Sequence, residues 1–226
     1  MEPSEKQVYV PQKKKKSGIK TRILGAFVLF FAFIGVVSII AFSVNTIKTI
    51  SENNRKAEME RLSKRVSAVV GIAPPAFEKI ENISNYTVLK SAVLMAIEQN
   101  PAKLQTADDG RMKVSCKLVK SAAQTLFGED IAIEYVPFDI NETLFEYDSE
   151  NDCYYFPPTG HVRSYQPIVQ DYSKSGDTVT LLIEYQAIEP VPGDEQVHRF
   201  NYVLKGDKDK EVIVSIMPEM NTTTTK

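Results

Sequence analysis

One continuous apolar stretch, residues 23–44 (ILGAFVLFFAFIGVVSIIAFSV), constrains this chain more than any other feature. It contains no charged residue, no Pro and no Asn or Gln. Because an α-helix rises about 1.5 Å per residue, the stretch would span roughly 33 Å, close to the thickness of a bilayer's hydrocarbon core. The mean hydropathy of the whole chain is −0.20, so apolar residues are concentrated here. We therefore predict one transmembrane helix over residues 23–44.

Positive charge gathers on the amino-terminal side of this predicted span. Residues 1–22 are polar and are expected to form a disordered tail. On the far side of the span, Lys48 is the only cation within ten residues. Six cations lie within ten residues on the near side, namely Lys13, Lys14, Lys15, Lys16, Lys20 and Arg22. By the positive-inside rule, this topology signal places the tail in the cytoplasm and the rest of the chain outside the cell membrane. Contact of the tail with lipid headgroups or a partner is the alternative role.

A cleaved signal peptide is the competing interpretation of the apolar stretch. Ala41 and Ser43 are small residues with the spacing of a cleavage site. The apolar region of a signal peptide has about 7–15 residues, however, and this run is longer. We therefore favour an uncleaved anchor.

The remaining chain differs from the tail in charge. Residues 1–44 carry seven Lys or Arg against two Glu, a net charge of +5. The rest carries 20 basic and 27 acidic residues, a net charge of −7. This balance argues against nucleic-acid binding. The length beyond residue 44 is enough for one domain with a core.

Residues 45–71 are predicted to continue as a helical stalk. Gly71 and the pair Pro74 and Pro75 end the helix, because Pro cannot continue its hydrogen-bond ladder. An apolar stripe at 3-4-3 spacing runs along it, through Met59, Leu62, Val66 and Val69. The stripe permits either docking on the chain's own domain or self-association into a homo-oligomer. Its shortness favours docking, since a coiled coil sustains its repeat over three or four heptads.

Two helices are predicted to open an outer domain over residues 72–217. Ser84 or Asn85 can cap the first, which runs to about Gln99. The second runs from about Arg111 to Phe127, with Asp108 or Asp109 as its cap and Gly128 as its stop.

From residue 131 onward the apolar period changes to two, which is typical of strands. In the last predicted strand, Val212, Val214 and Ile216 share one face. The predicted strands cover residues 131–136, 144–148, 153–156, 164–172, 178–186, 197–204 and 211–217. Consecutive hairpins favour an α+β fold with helices packed on one face of a twisted antiparallel sheet, followed by a disordered tail over residues 218–226.

The order of elements resembles that of NTF2-like (cystatin-like cone) domains, in which helices precede a long-stranded antiparallel meander. The segment 154–185, with YYFPPTG and the hairpin around SKSGD, is similar to the outer domains of uncharacterised single-pass membrane proteins of Gram-positive bacteria. The resemblance covers about residues 80–217 and rests on element order and turn placement. NTF2-like domains include ketosteroid isomerases and also non-catalytic scaffolds, such as the single-pass assembly component of type IV secretion and conjugation machines. No catalytic residue of the family can be matched to a position here.

The sequence contains no recognised motif for catalysis, cofactor binding or metal binding. His161 and His198 have no Cys or carboxylate partners at ligand spacing. The run 148–152 places oxygen side chains as a calcium loop does, but Cys153 and Thr159 stand where such a loop needs Gly and Glu. A polar hairpin turn explains the same residues, so we predict no catalytic, cofactor or metal site.

Two other groups of residues are candidates for a structural or binding role. Cys116 and Cys153 both follow the predicted span and form either a disulfide or two buried thiols. Six aromatic residues in the strand region either line a pocket or partner interface, or cover the core: Tyr154, Tyr155, Phe156, Tyr165, Tyr172 and Tyr185.

These features lead us to expect a membrane-anchored, extracytoplasmic binding or assembly module with no evident catalytic site. Its expected partners are the lipid bilayer and other membrane or envelope proteins. The alternatives are a small-ligand sensor or carrier with a cone-shaped pocket, and an enzyme whose site is assembled from dispersed residues. A deep pocket with converging polar groups would favour the alternatives, and a filled cone with an exposed apolar patch would favour the module.

Overall fold

The computed structural model describes residues 52–159, 163–189 and 197–219. The chain divides into two units after residue 54, and the description below concerns the second unit together with residues 52–54, where the described range begins. The predicted tail with its six cations, the predicted span, His161 and nearly all of the predicted carboxyl-terminal tail lie outside the described residues. Among the helices that are described, none has both the length and the apolar character to cross a membrane.

Among the residues that the structure describes, three α-helices precede or interrupt the strands. Helix α1 is described over residues 52–71, α2 covers Asn85–Gln99 and α3 covers Cys116–Phe127. Two short 3-10 turns lie at Ile80–Asn82 and Pro101–Lys103. Helix α2 is the central one, because buried residues occur on nearly all of its sides along its middle. Its predicted bounds and its Ser84 cap are confirmed, since the Ser84 hydroxyl accepts the Thr87 N–H.

In the described ranges, nine strands form two antiparallel sheets. The five-stranded sheet has the order β1-β2-β5-β4-β3 and the four-stranded sheet has the order β6-β7-β8-β9. The strands of the first sheet are β1 Gln105–Thr106, β2 Met112–Ser115, β3 Phe138–Ile140, β4 Thr143–Asp148 and β5 Cys153–Phe156. The strands of the second are β6 Tyr165–Ser175, β7 Thr178–Ala187, β8 His198–Lys205 and β9 Val212–Pro218. The predicted α+β class and antiparallel pairing are confirmed, but the strands form two sheets instead of one.

The second predicted helix begins later in the structure than its predicted start at about Arg111. Residues Met112–Ser115 form strand β2, which pairs with β5, and α3 starts at Cys116. Ser115 caps α3 by accepting the Leu118 N–H, so the predicted Asp cap is wrong. Asp109 instead accepts the Arg111 N–H in the preceding turn.

Two predicted strand features also differ. Residues 131–136 form a loop, because the Asn85 side chain and the Glu134 backbone exchange hydrogen bonds that hold the segment against α2. The predicted common face of Val212, Val214 and Ile216 is wrong, since Ile216 is buried and the two valines are only half-buried. A β-bulge in the β8–β9 pairing shifts the register between them.

The core lies between the helices and the two sheets. On β7 the alternate residues Val179, Leu181 and Ile183 face it, and all three are buried. From α1, Leu62 and Val66 are fully buried in the same cluster. Of the two interpretations of this helix, packing on its own domain is therefore the one that the described residues show.

Candidate binding cleft

A cleft of about 790 Å³ lies beside the start of α2, the carboxyl end of α3 and strand β9. Its volume falls within the range of about 300–1,000 Å³ that ligand sites in proteins occupy. Apolar side chains supply most of its lining, chiefly Ile80, Ile83, Val88, Phe127, Ile131, Ile133, Val212 and Val214. The cleft is therefore assembled from three segments that are far apart in the sequence, residues 80–88, 127–134 and 212–214.

The end of α3 shapes one wall of the cleft. Gly128 has a φ of +103°, a backbone conformation that residues other than glycine rarely adopt. At this residue the chain turns out of the helix. The loop that follows is held in place by Asn85. The Asn85 Nδ2 donates to the Glu134 carbonyl at 2.8 Å, and the Glu134 N–H donates to Asn85 Oδ1 at 2.9 Å. This two-way bond fixes the loop that carries Ile131 and Ile133 against α2.

Strand β9 forms a second wall. It is an edge strand of the four-stranded sheet, because among the described strands only β8 pairs with it there. Phe77 covers part of that edge by exchanging backbone hydrogen bonds of 2.8 and 2.9 Å with Ile216. The half-buried Val212 and Val214 face the cleft beyond this bridge.

Arg65 joins the two walls from α1. Its guanidinium donates to the Thr125 carbonyl in α3 at 2.8 Å, and to the Glu211 carbonyl just before β9 at 2.9 Å. Burial lowers the pKa of Arg65, and the nearby carboxylate of Glu211 counteracts this. The guanidinium therefore fixes the spacing between the end of α3 and the start of β9.

The rim of the cleft is acidic. Four of the lining residues are the exposed carboxylates Glu81, Glu129, Asp130 and Glu134, and none of the lining residues is Lys, Arg or His. Within the part of the chain that the structure describes, none of these four forms an ion pair. The carboxyl end of α3, where helix carbonyls carry partial negative charge, adds to the negative potential. The cleft thus combines an apolar floor with carboxylates that form no ion pair among the described residues.

The six predicted aromatic residues lie away from this cleft, in two separate clusters. In the five-stranded sheet, Tyr154 and Phe156 are buried with Phe138 and Phe145, and the Tyr154 hydroxyl donates to a backbone carbonyl at 3.0 Å. Tyr155 is half-buried, with the Arg111 guanidinium 4.7 Å from its ring centroid.

The other predicted aromatics belong to the four-stranded sheet. The ring centroids of Tyr165 and Tyr185 lie 5.7 Å apart. Phe200 packs against Tyr185 with 4.7 Å between their ring centroids. Together with His198 they line a small hollow of about 180 Å³. Tyr172 is half-buried on β6.

The two cysteines are neighbours across the β2–β5 pairing. Ser115 pairs with Cys153, and the Cys116 N–H donates to the Asp152 carbonyl at 2.9 Å. Both residues are buried free thiols. Burial, reinforced by the negative charge of Asp152, raises the pKa of Cys116 to about 12, and burial also raises that of Cys153. A disulfide between them remains a prediction from the sequence.

The run considered as a calcium loop forms a hairpin turn. Asp148 accepts the backbone N–H groups of Glu150 and Asn151, and also the Asn151 side-chain amide. These bonds lower the pKa of Asp148. In the described part of the chain, no group of three or more His, Cys, Asp or Glu side chains is arranged to hold a metal ion.

Sequence reasoning missed the residues of the cleft, although one signal was present. The loop after Gly128 reads EDIAIE, so that Ile131 and Ile133 lie between carboxylates. The apolar residues of this run suggested a strand, whereas the loop places the isoleucines in the cleft and the charges on its rim. Comparisons with known protein families, with characterised proteins and with solved structures found no match to this chain.

Proposed function

We propose that this chain is a single-pass membrane protein, with its tail in the cytoplasm and its folded domain outside the cell membrane. In this proposal the domain is a binding or assembly module, and its partners are other membrane or envelope proteins. The apolar stretch of residues 23–44 and the cations that precede it support the anchor and its orientation.

We further propose that the domain has an NTF2-like fold. The up-and-down order of β6 to β9, with helices ahead of it in the chain, supports this resemblance. The five-stranded sheet is an addition that the resemblance alone would not predict.

The observation that carries the binding role is the cleft beside β9. Large side chains such as Tyr154, Tyr202 and Leu94 fill the interior, whereas the cleft leaves half-buried apolar side chains open at the surface. Such a surface is stabilised when a partner covers it, because burying apolar area releases about 25 cal/mol per Å². A module that docks a partner protein therefore fits the geometry better than a cone holding a small molecule.

The small-ligand alternative has one observation in its favour, which is the volume of the cleft. About 790 Å³ would accommodate a drug-sized molecule. A screen of uncharged small molecules by thermal shift on the full chain would raise the unfolding temperature if this alternative holds.

The docking role is tested by the size of the protein extracted from its own membrane in mild detergent. We expect the wild-type chain to run in a large complex. Ile133→Asp places a charge in the apolar floor of the cleft. The double variant Glu129→Lys with Asp130→Lys reverses the sign of the charge at two exposed residues of the rim. Both variants should run as a smaller species. Leu144→Asp, at an exposed apolar residue on β4, is the matched control and should behave as wild type. A complex of unchanged size in the cleft variants would contradict the proposal.

A further inference from the structure

The open edge of β9 and the charge of the cleft together indicate the chemistry of the docked segment. We infer that the cleft binds an extended segment of a partner protein that alternates basic and apolar residues and lies along β9. This inference rests on the proposed docking role of the cleft.

The edge of β9 is occupied at both ends and open between them. At one end the Arg65 guanidinium bonds to the Glu211 carbonyl, and at the other Phe77 bridges to Ile216. Among the described residues, no group from outside the four-stranded sheet bonds to the backbone of residues 212–214. Phe77 is itself an antiparallel backbone partner at this edge, with bonds of 2.8 and 2.9 Å. An extended segment would pair with the stretch of the same edge between Phe77 and Arg65, past the β-bulge in the β8–β9 pairing.

The side chains around this open edge favour a bound segment in which basic and apolar residues alternate. In an extended segment, successive side chains point to opposite sides. One set would pack on the apolar floor formed by Val212, Val214 and Ile133. The other set would face the rim, where the carboxylates of Glu129 and Asp130 have no ion-pair partner within the described residues. Lys or Arg at those positions would supply the missing positive charge.

The occupant is an extended segment of another protein, and nothing indicates a lipid or a nucleic acid. A lipid headgroup or a nucleic acid carries negative phosphate, which the acidic rim would repel. A purely apolar ligand would leave the four carboxylates unused.

Fluorescence anisotropy with three labelled peptides tests this inference on the full chain in nanodiscs, with empty nanodiscs as the blank. The first peptide is KVKIKVKIK, the second EVEIEVEIE and the third KSKSKSKSK. We expect the first to bind at least tenfold more tightly than the other two in low salt. N-methylation of each of the two alternate sets of backbone nitrogens in turn should weaken binding of the first peptide at least tenfold for one set, because in a strand only every other N–H faces β9.

Protein variants assign the binding to the cleft. Glu129→Gln with Asp130→Asn should weaken binding of the first peptide about threefold to tenfold, as expected for the loss of two exposed ion pairs. Glu150→Gln, at an exposed position in the turn between β4 and β5, should leave it unchanged. Equal affinity for the acidic or the serine peptide, or no effect of N-methylation or of the rim variant, would overturn the inference.

The two proposals fail in different ways. If Ile133→Asp reduces the size of the membrane complex but no basic peptide binds, the proposal that a partner docks in the cleft is supported. The inferred chemistry of the docked segment is then wrong. If Ile133→Asp leaves the complex intact and the peptides do not bind, both proposals are wrong.

Discussion

Arg61 of α1 and Glu211, which precedes β9, form an ion pair in which both terminal guanidinium nitrogens reach the carboxylate, at 2.5 and 3.0 Å. The Glu211 side chain is 1% exposed and that of Arg61 is 21% exposed. The same guanidinium also bonds to Glu58 at 2.8 and 3.1 Å. The ion pair thus connects α1 to the start of β9, the strand that forms one wall of the cleft.

Removal of Arg61 is expected to destabilise the domain strongly. Arg61→Ala leaves the buried Glu211 carboxylate without its main partner, a change that costs about 3–5 kcal/mol in comparable pairs. Lys64→Ala is the control, because its bond to Glu60 joins side chains that are 77% and 69% exposed. That exposed pair is expected to contribute at most about 1 kcal/mol. Denaturant unfolding of the full chain in detergent measures both, and similar losses would contradict the assignment.

The same pair predicts how stability depends on pH. Burial raises the pKa of Glu211, but hydrogen bonds from Arg61 and the Glu211 N–H outweigh this, so its pKa in the folded state lies below the ordinary 4.5. A carboxyl group with a lowered folded pKa stabilises the fold above its unfolded pKa and loses that effect as pH falls through its folded pKa. Stability should therefore be level near neutral pH and decline below about pH 4.5. Glu211→Gln should flatten that decline, and an unchanged acid profile would contradict the prediction.

Arg65 is expected to control the geometry of the cleft. Arg65→Lys keeps a positive charge but cannot reach the Thr125 and Glu211 carbonyls with the same planar fork. We expect a loss of about 1–3 kcal/mol in the free energy of unfolding, since two carbonyls that are at least partly buried lose a donor. Hydrogen exchange should become faster in the loop 128–134. Unchanged exchange in that loop would show that Arg65 does not position the wall.

The buried hydroxyl pair of Tyr185 and Tyr202 gives a further prediction. The two hydroxyl groups bond to each other, and the Tyr202 side chain is fully buried. Tyr185→Phe leaves the Tyr202 hydroxyl unsatisfied and should cost about 1–3 kcal/mol. The double variant Tyr185→Phe with Tyr202→Phe should recover much of that loss, because no polar group is then left unpaired. If the loss in the double variant equals the sum of the losses in the two single variants, this coupling is contradicted.

The cysteines are expected to be protected thiols. Because both are buried and their pKa values are raised, iodoacetamide at pH 7.5 should modify neither in the folded protein. After unfolding without a reductant, mass spectrometry should find two added groups. A requirement for reductant would instead reveal the disulfide that the sequence also allows.

Local signals predicted much of the fold. The Ser84 cap and the Asn100-Pro101 break define α2 within a few neighbouring residues, and Gly128 does the same for the end of α3. The hairpin between β6 and β7 was equally clear, since Gly176 interrupts two alternating runs. These features are determined by interactions between residues close together in the sequence, so they can be predicted without knowledge of the fold.

Long-range pairing decided the features that were missed. Met112–Ser115 is a strand because β5 lies beside it, although its apolar residues also fit the stripe of the following helix. The loop after Gly128 is held by Asn85, more than 40 residues earlier, and the β9 bulge depends on pairing with β8. The cleft joins these same elements, so it could not be predicted before the elements were brought together.

Site-specific photo-crosslinking in the native membrane tests the central claim most directly, namely that the cleft beside β9 docks a partner protein. A benzophenone amino acid replaces Glu81 on the rim of the cleft or, as the matched control, Glu150 in the turn between β4 and β5. We predict one discrete adduct from position 81 that an excess of the basic peptide removes, and none from position 150. The absence of an adduct at position 81, or equal adducts at both positions, would contradict the claim.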